Sequence, residues 1–391
     1  MTGVQIEIQI IAALVAVSCA IPGVFLILRR MAMISDAISH AILPGIVVGF
    51  LITRSLNSPF LIILAAITGV VTVVLVELLN KTHLVKEDAA IGLVFPMMFS
   101  IGVIMISRNA GNIHIDTDTV LLGELAFAPF NRFQLAGIDL GPQGAWVMGA
   151  IFLLNLTFVV VFFKELKLAT FDAGLAASLG FLPGMLHYAL MSIVSITTVG
   201  AFDSVGAILV VALMIGPAAT AYLMTDDLKL MLIFAALTGI ISAVAGYRAA
   251  NLLDVSIAGS MATMCGLIFL SAYLFAPVRG LWPVYHRRKR QKSEFAQMTL
   301  VMHINNHSGI NDDIEERKFS HLKRHFLWED SFINKTVSNA LSAGLLAEKN
   351  GVLSLTDKGK RFIEASDALF TTKYHPGFEA LRKEFVIFSD R

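Results

Sequence analysis

The sequence has few cysteines and few charged residues. Two of its 391 residues are cysteine, Cys19 and Cys265, and both lie in apolar runs, so neither a disulfide framework nor a cysteine-rich zinc site is supported. Charged residues make up 15% of the chain and hydrophobic residues 56%, whereas about 25% of the residues of a typical soluble domain are charged. The composition therefore excludes an ordinary soluble protein and predicts that most of the chain faces lipid.

The charges that are present divide the chain in two. They are sparse up to about Pro283 and dense afterwards, beginning with the basic cluster "HRRKRQK" at 286–292. This shift predicts a transmembrane domain at 1–285, a basic linker at 286–295 and a further domain at 296–391.

Long apolar runs precede the basic cluster. A helix needs about 20 residues to cross the bilayer core, and nine runs are long enough, although a marginal or re-entrant segment would leave eight spans. The first run lacks the basic leader and small-residue cleavage site of a signal peptide, so we expect it to be a retained span. The sequence thus predicts an all-α polytopic membrane protein with spans at 6–28, 31–53, 58–80, 88–107, 145–163, 184–201, 204–224, 228–249 and 256–277.

The basic residues predict an orientation, because Lys and Arg accumulate in cytoplasmic loops. With nine alternating spans, most of them fall on one side, and the opposite side carries only Arg54, Arg108, Arg132 and Arg248. The N-terminus is therefore predicted outside, and the C-terminal domain in the cytoplasm. In the long outer loop, "NIHIDTDTVLLGELAF" at 112–127 suggests a short helix that dips into the membrane without crossing.

Two ionisable residues lie inside the second predicted span. Asp36 and His40 are four residues apart, so they share one helix face. Such residues are costly in a membrane and therefore suggest function. A structural Asp–His hydrogen bond is the alternative interpretation.

The residues around this pair favour a metal site. Pro44 lacks an N–H and so removes the usual helical partner of the His40 carbonyl, and Gly45 follows it. A carboxylate, an imidazole and a carbonyl suit manganese, zinc or iron(II). So few ligands predict weak binding, as a transit site requires. The neighbouring small residues would allow close helix approach or leave room for a path, and they are Ser35, Ala37, Ser39 and Ala41.

The segment between the fifth and sixth spans contains a short helical pattern. It runs from Asp172 to Leu179, with Thr170 or Asp172 as the candidate N-terminal cap and Gly180 at its end. Pro183 and Gly184 separate it from the next span. A compact amphipathic helix on the cytoplasmic face suits the docking of a partner protein, and a simple connector is the alternative.

At these positions the sequence resembles the permease subunits of ATP-binding-cassette importers for manganese, zinc and iron. The resemblance covers nearly all of 5–278. It is carried in order by "FLILRRMAMISDAISHAILPG", "KEDAAIGLVF", "LATFDAGLAASLG" and "GAILVVALMIGPAATAYL". It implies that Asp36 and His40 are the metal pair of the translocation path. It also implies that Leu168–Gly180 is the coupling helix that docks on the ATPase, with candidate residues Thr170, Phe171, Asp172, Ala173, Leu175, Ala176, Leu179 and Gly180.

The resemblance also implies partners and a location. The permease would pair with a second copy or a related permease in the bacterial cytoplasmic membrane. An ATPase and an extracytoplasmic metal-binding protein would complete the transporter. The chain contains no GxxxxGK[ST] motif, so ATP would bind the separate ATPase; the chain itself would be no enzyme and would hold no permanent cofactor. Gly216 and Pro217 would kink the seventh span.

The tail has a different pattern. It predicts helices at 294–307, 317–328 and 331–346, then a hairpin around Asn350 and Gly351 and a further helix. Roughly 296–370 resembles a winged-helix α+β domain of bacterial regulators. Binding to protein is favoured over binding to DNA, because acidic residues interrupt the basic ones.

The tail histidines allow a metal-sensor hypothesis, since they occur in pairs four residues apart. The members are His303 with His307 and His321 with His325. Neither a cysteine nor a clear carboxylate partner completes such a site in the sequence, so ordinary helical histidines are the favoured interpretation.

A metal permease is the leading functional prediction. One alternative is a membrane-tethered, metal-responsive regulator that acts through its winged-helix tail. A siderophore or cobalamin permease is another, although such cargo does not call for an Asp–His pair in the path.

Overall fold

A computed structural model describes residues 3–54, 59–109, 125–135, 138–308, 314–319, 321–322, 326–371 and 385. The chain forms two compact units, Met1–Gly280 and Leu281–Arg391. The predicted dipping helix at 112–127 lies mostly outside the described residues.

The first unit is mainly helical. Among its described residues, three helices have nine residues or fewer, and a 3₁₀ turn at Ala128–Phe130 precedes the hairpin of β1 (Arg132–Leu135) and β2 (Ile138–Pro142). Its helices are α1 (Gly3–Leu28), α2 (Met33–Ala41), α3 (Leu43–Thr53), α4 (Pro59–Lys81), α5 (Glu87–Asn109), α6 (Gln143–Val161), α7 (Phe163–Phe171), α8 (Ala173–Ser178), α9 (Pro183–Met224), α10 (Leu228–Leu253) and α11 (Ile257–Phe275).

The membrane-spanning segments agree with the sequence prediction. Among the described residues, nine helical segments are long and apolar enough to cross a membrane, and each lies within a few residues of a predicted run. The prediction of a polytopic all-α membrane protein is therefore confirmed.

The first helix forms the centre of this unit. In its most apolar stretch α1 is 72% buried, whereas the corresponding stretch of α11 is only 11% buried. The helix packs against α9 and α10. Since α11 is apolar enough to cross a membrane but is largely exposed, we infer that its outer face contacts lipid.

A buried polar cluster joins three of the spans. The side-chain amide of Asn155 on α6 donates to the carbonyl of Ser18 and to the hydroxyl of Thr197, both at 2.9 Å. The Ser18 hydroxyl donates to the carbonyl of Met148 at 3.3 Å. Hydrogen bonds between spans contribute about 0.6–2 kcal/mol each, so this cluster fixes α1, α6 and α9 against one another.

The long helix α9 contains two spans that meet at a glycine. Gly206 has φ 76° and ψ 166°, a backbone conformation that side chains with a Cβ rarely adopt. All of α9 is described, and the backbone stays helical at Gly216 and Pro217. The break between the sixth and seventh spans thus lies ahead of those residues, and a bend at Gly216 and Pro217 stays a prediction.

The second unit has helices and one hairpin. It consists of α12 (Leu281–Asn306), α13 (Asp330–Ser342), β3 (Leu346–Lys349), β4 (Val352–Leu355) and α14 (Asp357–Thr371). The predicted hairpin is confirmed, because β3 and β4 pair antiparallel around Asn350 and Gly351, which have φ of 55° and 74°.

The structure shows the local conformation of two predicted segments of the tail. The predicted linker at 286–295 lies within α12, where Arg290 and Glu294 form an ion pair of 2.8 Å one helical turn apart. The predicted helix at 317–328 is described only in part, and Lys318 forms a bridge with Val352. The winged-helix arrangement stays a prediction.

Candidate functional site

The second span is built from two helices with a break beside the predicted pair. Helix α2 ends at Ala41, Ile42 separates the two helices, and Pro44 is the second residue of α3. Pro44 has no N–H to donate to the carbonyl of His40. The helical pattern continues from Ile46, whose N–H donates to the carbonyl of Ile42 at 3.1 Å.

Asp36 and His40 lie together on one face of α2. The His40 Nε2 and Asp36 Oδ1 atoms are 3.6 Å apart, too far for a hydrogen bond. The side chains of His40 and Asp36 are 31% and 43% exposed. The imidazole also lies 5.6 Å from the ring of Phe95 on α5, measured between ring centroids. The pair is therefore accessible and keeps lone pairs for another ligand.

The small residues of α2 form its packing faces. The Ser35 hydroxyl donates to the carbonyl of Ala32 at 3.0 Å, and the Ser39 hydroxyl donates to the carbonyl of Ser35 at 2.9 Å. Ala37 and Ala41 are buried. Because the serines bond to their own backbone, Asp36 and His40 carry the polar chemistry of this helix.

Close packing fixes α3 directly after the pair. A Cβ added to Gly45 would lie 2.3 Å from the Thr68 hydroxyl, 2.5 Å from the Leu64 carbonyl oxygen and 2.8 Å from the Ala65 Cα atom. Two of these atoms are backbone atoms of α4 and cannot swing aside. Glycine is therefore required at position 45 for α3 and α4 to approach.

The separation of the two donors suits a single metal ion. Two ligand atoms that are each about 2.1 Å from one ion lie roughly 3–4 Å apart, and the observed 3.6 Å falls in that range. One carboxylate and one imidazole match the donor preference of manganese, zinc and iron(II). Two ligands alone hold an ion weakly.

The predicted coupling segment at 168–180 comprises the last residues of α7 and the short helix α8. Asp172 is its N-terminal cap, because the Leu175 N–H donates to Asp172 Oδ1 at 2.8 Å. At the other end Gly180 has φ +85°, and the Phe181 N–H donates to the carbonyl of Ala176 at 3.0 Å. Of the two candidate caps, Asp172 is therefore the one that functions.

The surface formed by α8 and the residues that flank it is apolar and exposed. The side chains of Phe171, Leu175 and Leu179 are 60%, 48% and 60% exposed, whereas Ala176 is buried. Exposed apolar patches of this kind mark docking surfaces. Thr170 has another role, since its hydroxyl accepts a hydrogen bond from Arg29 Nε at 3.2 Å.

A polar network that the sequence analysis did not predict lies at this end of the bundle. Glu77 on α4 contacts His187 Nε2 through one carboxylate oxygen and accepts from the Tyr188 hydroxyl at 2.5 Å through the other. Arg29 Nη1 lies 3.3 Å from His187 Nδ1. Burial lowers the pKa of Arg29, although a guanidinium stays charged in proteins. We call Arg29, Glu77, His187 and Tyr188 the α1–α4–α9 network.

Part of this network is visible in the sequence. Glu77 and His187 both lie within predicted spans, at 58–80 and 184–201, where ionisable residues suggest function. The contact between them joins α4 to α9 and cannot be predicted from the spacing of residues along the chain.

A cleft of about 370 Å³ lies elsewhere in the first unit. It is lined by Leu125, Ala126, Phe127, Tyr247, Ala250, Asn251, Asp254, Val255, Ser256, Ile257 and Ala258. No predicted site residue lines it, so the cleft is separate from the Asp36–His40 pair and from the predicted coupling segment.

Comparison with known proteins agrees with the resemblance. The ABC 3 transport family matches residues 4–276. The zinc transport system membrane protein TroD of Treponema pallidum (strain Nichols) is 44% identical over 359 residues, 92% of this chain and 98% of that protein. The manganese transport system membrane protein MntD of Bacillus subtilis (strain 168) is 48% identical over 268 residues, 68% of this chain and 90% of that protein.

A solved structure matches the first unit in size. The structure of PsaBC from Streptococcus pneumoniae in complex with Fab aligns with a TM-score of 0.60 and 27% identity, covering 71% of this chain and 94% of that chain. The match to TroD is longer than the 280 residues of the first unit, so it extends into the second unit. On the family match and these relatives, the chain belongs to the ABC 3 transport family.

Proposed function

We propose that the chain is the transmembrane permease subunit of an ATP-binding-cassette importer that moves a divalent transition-metal ion into the cytoplasm. The accessible Asp36–His40 pair is the observation that carries the proposal. Its 3.6 Å donor separation suits one ion, and its two ligands bind weakly enough for release.

The pair and the relatives favour this function over the alternatives. TroD and MntD are named as membrane proteins of transport systems, which supports a transporter rather than a regulator. A bulky siderophore or cobalamin has no need of a carboxylate and an imidazole in the path. Zinc and manganese occur in the relatives' names, and the donor set suits iron(II) equally, so all three ions belong in the test.

The partners follow from the exposed face of α8. Phe171, Leu175 and Leu179 form an apolar surface that would seat in a groove of a separate ATPase. Two permease subunits, identical or related, would enclose the path, and an extracytoplasmic metal-binding protein would deliver the ion. The chain would lie in the bacterial cytoplasmic membrane, with lipid around its spans and the second unit in the cytoplasm.

The α1–α4–α9 network supports this orientation and a mechanism. Its contacts gather the end of α1, the end of α4 and the start of α9, which the distribution of basic residues assigns to the cytoplasmic side. Through Thr170 the network also reaches α7, directly before the docking helix. We infer that it transmits movement of α8 to α4, on which Gly45 of α3 packs.

The test is uptake of radiolabelled manganese, zinc and iron(II) into vesicles that contain the chain, its ATPase and its binding protein. Wild type is compared with Asp36→Ala and His40→Ala, and with His83→Ala as a control at an exposed loop histidine. We expect saturable, ATP-dependent uptake of at least one ion in wild type and in the control.

Both pair variants should lose uptake while remaining in the membrane. Uptake at the wild-type rate in both would exclude the proposed site. An assembled complex that hydrolyses ATP and takes up none of the three ions would exclude a permease for these metals.

A further inference from the structure

The second unit brings three metal-ligating side chains together. His303 and His307 lie one turn apart near the end of α12, and their ring centroids are 4.6 Å apart. Glu316 comes from the segment 314–319, which follows the helix in the chain. One possible ligand atom from each of the three residues lies within 4.8 Å of the other two. The sequence pattern offers no clear carboxylate partner for these histidines, and Glu316 supplies one.

The surroundings hold this cluster in place. Val301 and Ile304 on α12 are fully buried in the apolar core of the unit, which fixes the helix. The ring of Phe326 packs against His303 with a centroid distance of 5.2 Å. His321 Nδ1 lies 3.0 Å from Glu316 Oε2, so a third imidazole adjoins the carboxylate.

The burial of Glu316 favours a cation beside it. Its side chain is only 18% exposed, and a carboxylate with limited access to water is stabilised by a nearby positive charge. All three residues of the cluster are half-buried, so an ion can still reach them.

The donor set selects a class of ion. Two imidazoles and a carboxylate are ligands of zinc and of other borderline divalent metals. Donor atoms around a tetrahedral ion lie about 3.4 Å apart. Atoms already within 4.8 Å reach that spacing by small side-chain rotations. Three protein ligands leave a coordination position open, so the ion can exchange.

We propose that His303, His307 and Glu316 form a second site for a divalent transition-metal ion, distinct from the Asp36–His40 pair. The existence of the site rests on the cluster alone. Its role as a sensor of the imported ion rests on the proposed function, because the second unit then lies on the side to which the ion is delivered.

The experiment counts bound ions on the full-length chain in lipid nanodiscs without its partners. The background carries Asp36→Ala and His40→Ala, which removes the membrane pair. Cobalt(II) and zinc are titrated, and the visible absorption of bound cobalt(II) reports its ligand geometry. The test variants are His303→Ala with His307→Ala, and Glu316→Gln, which keeps the size of the side chain.

We expect one ion per chain in the background. The double histidine variant should lose it, and Glu316→Gln should weaken binding at least about tenfold. His286→Ala is the matched control on the same helix, where an exposed histidine packs against the ring of Trp282, and it should leave binding unchanged. Circular dichroism checks that every variant keeps its helices.

Equal binding in the background, in Glu316→Gln and in the double histidine variant would overturn the proposal, as would the absence of a bound ion in the background. Neither result bears on uptake through Asp36 and His40, so the two proposals fail separately.

Discussion

Among the described residues of the first unit, two pairs of an acid and a histidine differ in their separation, their exposure and their neighbours. Asp36 and His40 are neighbours on one helix, are separated by 3.6 Å and are 43% and 31% exposed. Glu77 and His187 come from α4 and α9, are in contact, and are 21% and 17% exposed. In the second pair, Arg29 lies beside His187 and the Tyr188 hydroxyl donates to Glu77. In the first pair, the ring of Phe95 lies beside His40.

The difference indicates that the first pair is suited to binding an ion and that the second pair holds helices in position. A pair whose donors do not bond to each other retains the capacity to bind a passing ion. A pair whose oxygens and nitrogens are already occupied by neighbouring side chains is costly to disrupt, because each removed partner leaves a buried polar group. We therefore expect variants of the first pair to lose transport and variants of the second to lose stability.

The largest effect is expected from Asp36→Asn, which removes a charge and keeps the shape. Uptake should fall at least tenfold. Because Asp36 is accessible and not hydrogen-bonded to His40, the free energy of unfolding should change by less than about 0.5 kcal/mol. The measurements are uptake in vesicles and thermal unfolding in detergent. A fall in stability with unchanged uptake would show that Asp36 has a structural role and no role in transport.

The next largest effect is expected from Glu77→Gln. The amide retains one acceptor but removes the charge beside His187 and Arg29, so the free energy of unfolding should fall by about 1–3 kcal/mol. Uptake should decline with the amount of folded protein. Glu364→Gln on α14 is the control, because Glu364 is exposed and its loss should be neutral. Unchanged thermal unfolding of Glu77→Gln would contradict a structural role for the α1–α4–α9 network.

Gly45→Ala tests whether the Asp36–His40 pair depends on the close packing of α3 against α4. The new methyl group would lie 2.5 Å from the Leu64 carbonyl oxygen, so α3 must move away from α4. We expect a loss of about 1–3 kcal/mol of stability and reduced uptake. In Gly92→Ala on α5, the added Cβ meets nothing within 4 Å, and stability should stay level or rise by up to about 1 kcal/mol. Equal behaviour of the two variants would contradict the close approach at Gly45.

The smallest effect on stability is expected from Asp172→Ala, which removes the cap of α8. The local cost is about 1 kcal/mol, but the affinity for the purified ATPase should fall several-fold as the docking helix frays. Asp227→Ala is matched to it, because Asp227 caps α10 through the N–H groups of Lys229 and Leu230. The control should retain ATPase binding. Equal affinities for the ATPase in wild type, Asp172→Ala and Asp227→Ala would show that α8 is not part of the docking surface.

The sequence predicted the features that depend on neighbouring residues. The nine spans agree because length and hydropathy alone determine whether a helix can cross a membrane. The Asp172 cap, the end of α8 near Gly180 and the hairpin at Asn350 and Gly351 also follow from local chemistry. The same holds for the shared helix face of Asp36 and His40.

Features that do not follow from local sequence patterns were missed. The break of α9 at Gly206 was not predicted, since a positive φ is not visible in the sequence. Glu316 joins His303 only after the chain has turned back on α12.

By itself the sequence determined a polytopic helical membrane protein, the position of its spans and the pair of candidate ligands on the second span. The tertiary structure alone decided that Glu77 meets His187, that α3 lies on α4 at Gly45, and that a carboxylate completes the histidines of the second unit. The physical reason is that hydropathy, capping and helix periodicity are local properties of the chain, whereas ion pairs and close contacts between helices depend on packing across long separations in sequence.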